Sequence, residues 1–424
     1  MIFYVSFLIA LFWGIFSTWV AIPWITDLAN LTNIFVAIFI IGGIAIIPGI
    51  INLFLITSLS LDTRKTKTSN LNFSDITVLI AAFNEENNIL TTVKSIIVQK
   101  YPKKINIIVI SDGSTDRTVK RLNQYSDKIK IIDLPKNKGK AAALNHGLNL
   151  VDTELVITID ADCYLYKNAL VNIVSKYLNS SNNTAAVAGS ILVKNSRTNI
   201  ITRIQEWDYF LGINAVKRVQ SLFGGTLVAQ GAFSLYNTEI LKSLGGWQNT
   251  VGEDIVLTWE LLDRNYNIDF CKNAISFTNV PDTLKQFIKQ RQRWGRGLIE
   301  AFKRSWRLLF KRHYITLLIW WNLFFPYLDL TYTLFFIPGI IFAFFGYYFI
   351  VGPLTLLLIP TSILMNYIIM RFHRKTFNQE GLKIRKNMIG VFLYVFFYSM
   401  ILQPAAVVGY FKELLLFPKK WGTK

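Results

Sequence analysis

Charged and uncharged residues separate along this chain in long blocks. No charge occurs from Met1 to Thr26, and none again from Leu28 to Leu61. Residues 2–23 and 34–56 are each long enough to cross a bilayer as a helix. Residues 314–370 carry one charge, Asp329, and have room for two crossings, and 388–411 is a further uncharged run. The first segment lacks the basic start of a cleaved signal peptide, and a second apolar run follows closely. The pair is expected to be an uncleaved hairpin anchor, with a signal anchor made of the first run alone as the alternative.

Between the apolar blocks lies a polar one, residues 62–313, the size of a single large α/β domain. Its pattern alternates. Strand-like apolar runs at 76–81, 105–110, 128–133 and 155–159 are separated by helix-like segments at 85–99, 115–125 and 139–150. Such alternation predicts a parallel sheet with its ligand site at the carboxyl ends of the strands. Residues 295–313 differ: apolar Leu298, Ile299, Phe302, Trp306 and Leu309 recur at helical spacing with arginines and lysines between them. The pattern predicts an amphipathic helix, lying in the inner headgroup layer or packed on the domain. The expected organisation is two spans in 1–61, a catalytic domain in 62–294 and an interface helix in 295–313. Two spans in 314–370 follow, then a basic loop in 371–387, a spanning or re-entrant segment in 388–411 and a basic tail in 412–424.

Composition adds a direction. Of 424 residues 52% are hydrophobic, too many for an ordinary soluble protein. The net charge is +19, yet no Lys or Arg falls in 1–61 or 314–370. The positive-inside rule therefore places 62–313 in the cytoplasm of a multi-pass inner-membrane protein. Nucleic acid is the other partner that a basic protein invites, but anchoring beside acidic lipid accounts for the charge, and no nucleic-acid partner is expected. Cys163 and Cys271 show no metal or disulfide spacing, and three histidines make zinc or Ser-His-Asp chemistry a poor fit.

The candidate chemistry sits where the strands end. Asp160-Ala161-Asp162 closes the 155–159 run, and two carboxylates there suit Mg2+ or Mn2+ and a phosphate-bearing donor, although Asp-x-Asp also occurs in solvated turns. Ala82-Phe83-Asn84-Glu85-Glu86 and Ser111-Asp112-Gly113 follow the first two strands, where a nucleotide's base and ribose can be gripped or a helix merely capped. Lys140 opens the next helix within Asn137-Lys138-Gly139-Lys140, facing base, phosphate or solvent. Gly252-Glu253-Asp254 precedes a helical segment and places Asp254 as a general base for an acceptor hydroxyl, or as an acid capping the helix. Gln290-Arg291-Gln292-Arg293-Trp294 offers arginines for a departing diphosphate and a flat indole face for a sugar.

In this order the motifs resemble the processive family-two glycosyltransferases: the hyaluronan, chitin, cellulose and poly-N-acetylglucosamine synthases. The resemblance covers about 76–294 with membrane spans on either side. It implies a Rossmann-like GT-A (nucleotide-diphospho-sugar transferase) α/β domain in a multi-pass α-helical membrane protein, with a UDP-sugar donor and a growing polysaccharide as partners. Ala82, Asn84, Glu85, Asp112, Lys140, Asp160, Gln290 and Arg293 would then bind donor, with Asp112 on uracil. Asp162 is the direct metal ligand beside Asp160, Asp254 with Glu253 is catalytic, and Trp294 binds acceptor. The tail Trp421-Gly422-Thr423-Lys424 is similar to the cytosolic gating motif of hyaluronan and chitin synthases. Asn137-Lys138-Gly139-Lys140 with Ala143-Leu144-Asn145, and two spans before the domain, resemble the bacterial poly-β-1,6-N-acetylglucosamine synthases. Some members of that group require a small membrane accessory subunit. Gly252-Glu253-Asp254 stands where Thr-Glu-Asp is usual, which leaves the sugar open among UDP-N-acetylglucosamine, UDP-glucose and a hyaluronan-type pair.

Two rivals share features of this reading. A non-processive transferase adding one sugar to a lipid would carry the same aspartates. A transporter with a nucleotide-sensing domain would have the spans, but the chain has no Walker-type Gly-rich motif. Asp329 is expected near the interface, with a place along a polymer path as the alternative. Five spans would export the basic tail, so a break at Gln403-Pro404 is expected to make the last segment re-entrant and keep the tail inside.

Overall fold

In the computed structural model the described residues are 1–64, 71–311 and 314–418. The polar block folds around one eight-stranded sheet in the order β3-β2-β1-β4-β7-β6-β8-β5. The strands are β1 Ile76–Ala82, β2 Ile105–Asp112, β3 Lys130–Leu134, β4 Leu155–Ile159, β5 Tyr164–Leu165, β6 Thr184–Val193, β7 Phe233–Asn237 and β8 Asn267–Thr278. β1, β2, β3 and β4 run parallel, as the alternation predicts, whereas β7 runs antiparallel to β4 and β6. β1 and β4 are apolar but for the buried Thr77 and Thr158 because helices cover both faces, so no alternation marks a solvent side. Residues 85–88 form a turn rather than the start of the expected helix, which spans Ile89–Ile97; Asn84 there adopts a left-handed conformation at φ 54.

Among the described residues five helices are long and apolar enough to cross a membrane: Ile2–Leu31, Ile34–Leu61, Tyr314–Phe344, Pro353–Gln379 and Met388–Leu414. The first two pack together as a hairpin, and the segment joining the third and fourth meets the first helix away from the sheet, where Trp24 Nε1 donates to the Phe349 carbonyl at 3.2 Å. Their other ends rest on the sheet domain. Phe3 stacks against Phe223 and Tyr314, Asp62 binds Arg218 at 2.8 Å, and Phe377 packs on Phe210.

The remaining elements depart from expectation in three places. The helix expected over 295–313 begins at Leu284, capped by Thr283, and continues to Ser305, so the boundary at 294 falls inside one helix. Its Arg296 faces no headgroup layer: it is 7% exposed and paired with Glu413 at 3.2 Å. Within 295–311 exposure is confined to the helix end and the following turn, at Lys303, Arg304, Trp306, Arg307 and Phe310. The stretch expected as a basic loop is helical as far as Gln379. The fifth apolar helix does not break at Gln403-Pro404; Ser399–Leu414 is continuous, supported along its length by the helix Leu284–Ser305. An alanine-sized atom at Gly409 would already strike the Gln292 backbone at 2.3 Å, which shows how closely the two helices lie. Both ends of this fifth helix sit on the sheet domain. Asn387 bonds Arg203 and Glu206 at its start, and Arg296 donates to the Phe417 and Pro418 carbonyls at its end. The Trp421–Lys424 motif lies outside the described residues.

Candidate active site

The expected donor residues gather at the carboxyl ends of β1, β2 and β4. Two loops are zipped together there. Asn84 Oδ1 accepts from the Thr115 amide at 2.9 Å, and the Glu85 amide donates to Thr118 Oγ1 at 2.8 Å. Glu85 in turn accepts from Asn88 at 2.9 Å, while Ala82 closes β1 and is buried. Asp112 is 2% exposed, and its two oxygens accept from the Lys138 and Gly139 amides at 2.9 and 2.8 Å. It therefore fastens the 137–140 turn to β2, a duty that the sequence does not announce. Gly113 must be glycine: its φ is +68, and a Cβ would lie 2.6 Å from the Asn137 nitrogen.

Lys140 does not face solvent. Its Nζ lies 2.5 Å from Asp160 Oδ1 and 3.5 Å from Glu253 Oε1. Burial opposes the ammonium, but Asp160, Glu253 and Asp254 outweigh it and hold its pKa above the ordinary lysine value. Burial likewise raises the Glu253 pKa, with Lys140 opposing. One lysine thus joins the Asp-x-Asp and Glu-Asp motifs, which are about ninety residues apart in sequence. Asp162 Oδ1 accepts from Thr278 Oγ1 at 3.2 Å, so β8 orients the second carboxylate. No cluster of three or more metal-binding side chains occurs among the described residues. Two half-exposed carboxylates nevertheless fit Mg2+ or Mn2+, which take one or two protein carboxylates and complete their shell with substrate phosphates and water.

Asp254 lies in the first turn of the helix Glu253–Asp263, where its Oδ1 accepts from the Ile255 amide at 2.8 Å. Residues that the sequence reading missed hold it there. Glu300 Oε2 accepts from the Val251 and Gly252 amides at 2.9 and 3.2 Å. Gly252 and Gly297 let the two backbones meet, since a Cβ on Gly252 would lie 2.6 Å from Gly297 Cα. The spacing of Glu300 from Trp294 along one helix was the available signal, but nothing in it named the partner loop. Buried Lys217 also lies within electrostatic reach of Asp254, and burial pushes its pKa down to about 7.

On the same helix Gln290 is 8% exposed, with its Oε1 buried and unbonded, and Trp294 is 39% exposed. Arg293 is half-buried and close enough to Glu253 to lower its pKa electrostatically. Arg291 backs the indole: its guanidinium sits 4.0 Å from the Trp294 ring and 2.9 Å from Asp208. Trp294 opens onto a cavity of about 1320 Å3 that continues among all five apolar helices, lined by Trp13, Asn52, Phe325, Asp329, Tyr332 and Gln403 among others. Asp329, on the third apolar helix, is among the residues that line it.

Comparisons with known proteins agree with this geometry. Residues 77–245 match the glycosyl transferase family 2 model, and 243–307 match a chitin synthase-like glycosyltransferase domain. A poly-beta-1,6-N-acetyl-D-glucosamine synthase of Staphylococcus epidermidis is 31% identical over 256 residues, 60% of this chain and 61% of that one. The namesake from Staphylococcus aureus strain MSSA476 is 33% identical over 234 residues, 54% of this chain and 56% of that one. The matches thus span less than two thirds of these relatives. Among solved structures, a mannosyltransferase from Pyrobaculum calidifontis in complex with GDP-Man and Mn2+ superimposes with a TM-score of 0.61 at 16% identity, over 93% of this chain and all of that one. That likeness establishes the GT-A-like fold together with its apolar helices. The chain is thus similar to family 2 glycosyl transferases over 77–245 and to a chitin synthase-like domain over 243–307, a region set among helices long and apolar enough to span a membrane.

Proposed function

We propose that this protein is a processive inverting glycosyltransferase that polymerises N-acetylglucosamine from UDP-N-acetylglucosamine, of the poly-β-1,6-linked type. The observation that carries the reading is the cavity opening at Trp294. A transferase that adds one sugar has no need of a passage among its apolar helices, whereas a polymerase must move its product away from the site. The named relatives supply the sugar. A UDP-glucose or hyaluronan-type donor, or a single transfer to lipid, is the alternative that product analysis separates.

The chain's own residues account for the reaction. The loops at 82–86 and 111–118, fastened through Asn84, Glu85 and Asp112, cradle the nucleotide of the donor. Asp160 and Asp162 would hold a Mg2+ or Mn2+ ion, which offsets negative charge on the diphosphate as it leaves. Lys140 keeps the crowded carboxylates of Asp160 and Glu253 compatible. Gln290 and Arg293 face the diphosphate, and Trp294 presents its indole to the acceptor ring. Asp254 takes the proton from the acceptor hydroxyl, which attacks the anomeric carbon from the face opposite UDP in one displacement.

The catalytic domain faces the cytoplasm in this reading, since no Lys or Arg falls in 1–61 or 314–370 while 62–313 is rich in both. With four helices crossing, the fifth, tied to the domain at both ends, keeps the tail on that side. Asp254→Asn membranes are the test of the base. They should make no polymer while still binding UDP, and retained synthesis sinks the assignment.

A further inference from the structure

The cavity beyond Trp294 contains a polar feature that passage alone does not require. Arg291 and Asp329 are the two charged side chains among its described lining residues. Asp329 lies in the middle of the third apolar helix, far from any lysine or arginine in sequence. An ionisable side chain at such a position is costly and needs a partner. Tyr410, from the fifth helix, donates its hydroxyl to Asp329 Oδ2 at 2.6 Å. No protein group among the described residues bonds the other oxygen, which is left to the cavity.

Three further observations converge there. The walls carry Trp13, Phe16, Trp24, Phe325, Tyr332 and Phe336, and flat aromatic faces beside a carboxylate suit a pyranose ring with its hydroxyls. Three of the described π-turns, Gly42–Ile46, Tyr332–Phe336 and Tyr394–Tyr398, contribute residues to the same walls. Such turns inside regular helices are frequent at functional sites. Finally, the helix bearing Tyr410 is fastened to the acceptor end. Lys412 donates to Gln292 Oε1 at 2.7 Å, and Glu413 pairs with Arg296.

We propose that Asp329, steadied by Tyr410, is a saccharide-binding station inside the cavity, accepting hydrogen bonds from hydroxyl or amide N–H donors of the chain leaving the active site. The inference rests on the polymerase reading and adds a ligand site to it. A lipid tail in the same space gains nothing from a carboxylate. A cation is a poor occupant, because one carboxylate and a tyrosine offer too few oxygens to hold it. A neutral chain rich in hydroxyls satisfies the free oxygen at each step and can leave it again.

The test uses a thiol reporter. Ser399 lines the cavity, and the native thiols of Cys163 and Cys271 are buried, so Ser399→Cys adds one reactive position with little change in shape. Membranes carrying Ser399→Cys are given UDP-N-acetylglucosamine and Mn2+, or Mn2+ alone, and then a water-soluble maleimide. Product length is measured in parallel. Donor supply should protect the thiol. Adding Asp329→Asn should restore labelling and shorten the product about tenfold, the equivalent of one charge-assisted hydrogen bond.

Equal protection and equal polymer length in the Ser399→Cys protein with and without Asp329→Asn overturn the station. Protection that does not depend on donor identifies a lipid occupant and overturns it too. Loss of UDP release in the Asp329→Asn variant would make Asp329 a structural residue, again against the proposal. If Ser399→Cys membranes with Asp329 intact make no polymer, and the unaltered chain makes none either, the polymerase reading itself has failed and the station falls with it.

Discussion

Replacing Glu300 should disable transfer without touching the donor pocket. Glu300 is 3% exposed and accepts from two buried amides, those of Val251 and Gly252, through a single oxygen. A hydrogen bond to a charged group is worth about 1.5–3 kcal/mol, and two donors sharing one oxygen do not add fully, so Glu300→Ala should cost about 2–4 kcal/mol. That loss falls on the turn that carries Asp254 two residues later. A base displaced by about 1 Å loses roughly a hundredfold in rate. We therefore expect the initial rate of UDP release from UDP-N-acetylglucosamine to fall about a hundredfold in Glu300→Ala membranes. UDP affinity should be unchanged, because the loops around Asn84 and Asp112 lie elsewhere on the sheet. Glu300→Gln keeps an acceptor oxygen and should retain most of the rate. The assay is UDP release with a parallel UDP-binding titration. A Glu300→Ala protein with wild-type rate and melting temperature would refute the claim that this contact positions Asp254.

Other outcomes follow from the same geometry. Burial holds the folded pKa of Lys217 near 7, below its unfolded value, so the cost of burying its charge is fully present below about pH 7 and is relieved as pH rises. The melting temperature of the wild type should rise from about pH 7 toward about pH 9, and Lys217→Met should remove that rise; an unchanged slope in the variant contradicts the assignment. Asp112→Asn leaves one acceptor for two amides and turns an NH2 group toward the other, so UDP should bind about ten- to a hundredfold more weakly, by about 1–3 kcal/mol. Calorimetric titration reads this directly, and wild-type affinity would show that Asp112 is not needed to shape the pocket.

Much of the domain was legible in the sequence because its signals are local. A short β-branched run such as 155–159, apolar but for Thr158 and set between turn residues, can be little else than a buried strand, and β4 spans the expected residues. The parallel half follows from the alternation of runs, whereas the antiparallel β7 is not signalled by composition. The site was legible as motifs but not as contacts. Lys140 reads as a helix start facing base, phosphate or solvent, yet its folded partners are Asp160 and Glu253, the second at the start of a helix far downstream. Arg296 shows the same limit. Its charge and spacing suggest a headgroup contact, but a single glutamate on the fifth apolar helix draws it inside. Pro404 misled for a related reason, since a proline predicts a break from local geometry while packing on a neighbouring helix sustains the turn. Local chemistry is written in the sequence; which distant element completes it is decided by packing.

The central claim is that one cytoplasmic site builds a polymer and feeds it into the cavity at Trp294. Isolated membranes given radiolabelled UDP-N-acetylglucosamine, with and without Mn2+, and products sized by gel filtration test it most directly. The expected result is labelled product of high molecular mass that requires the ion and disappears with Asp254→Asn. A single labelled sugar on lipid would contradict it.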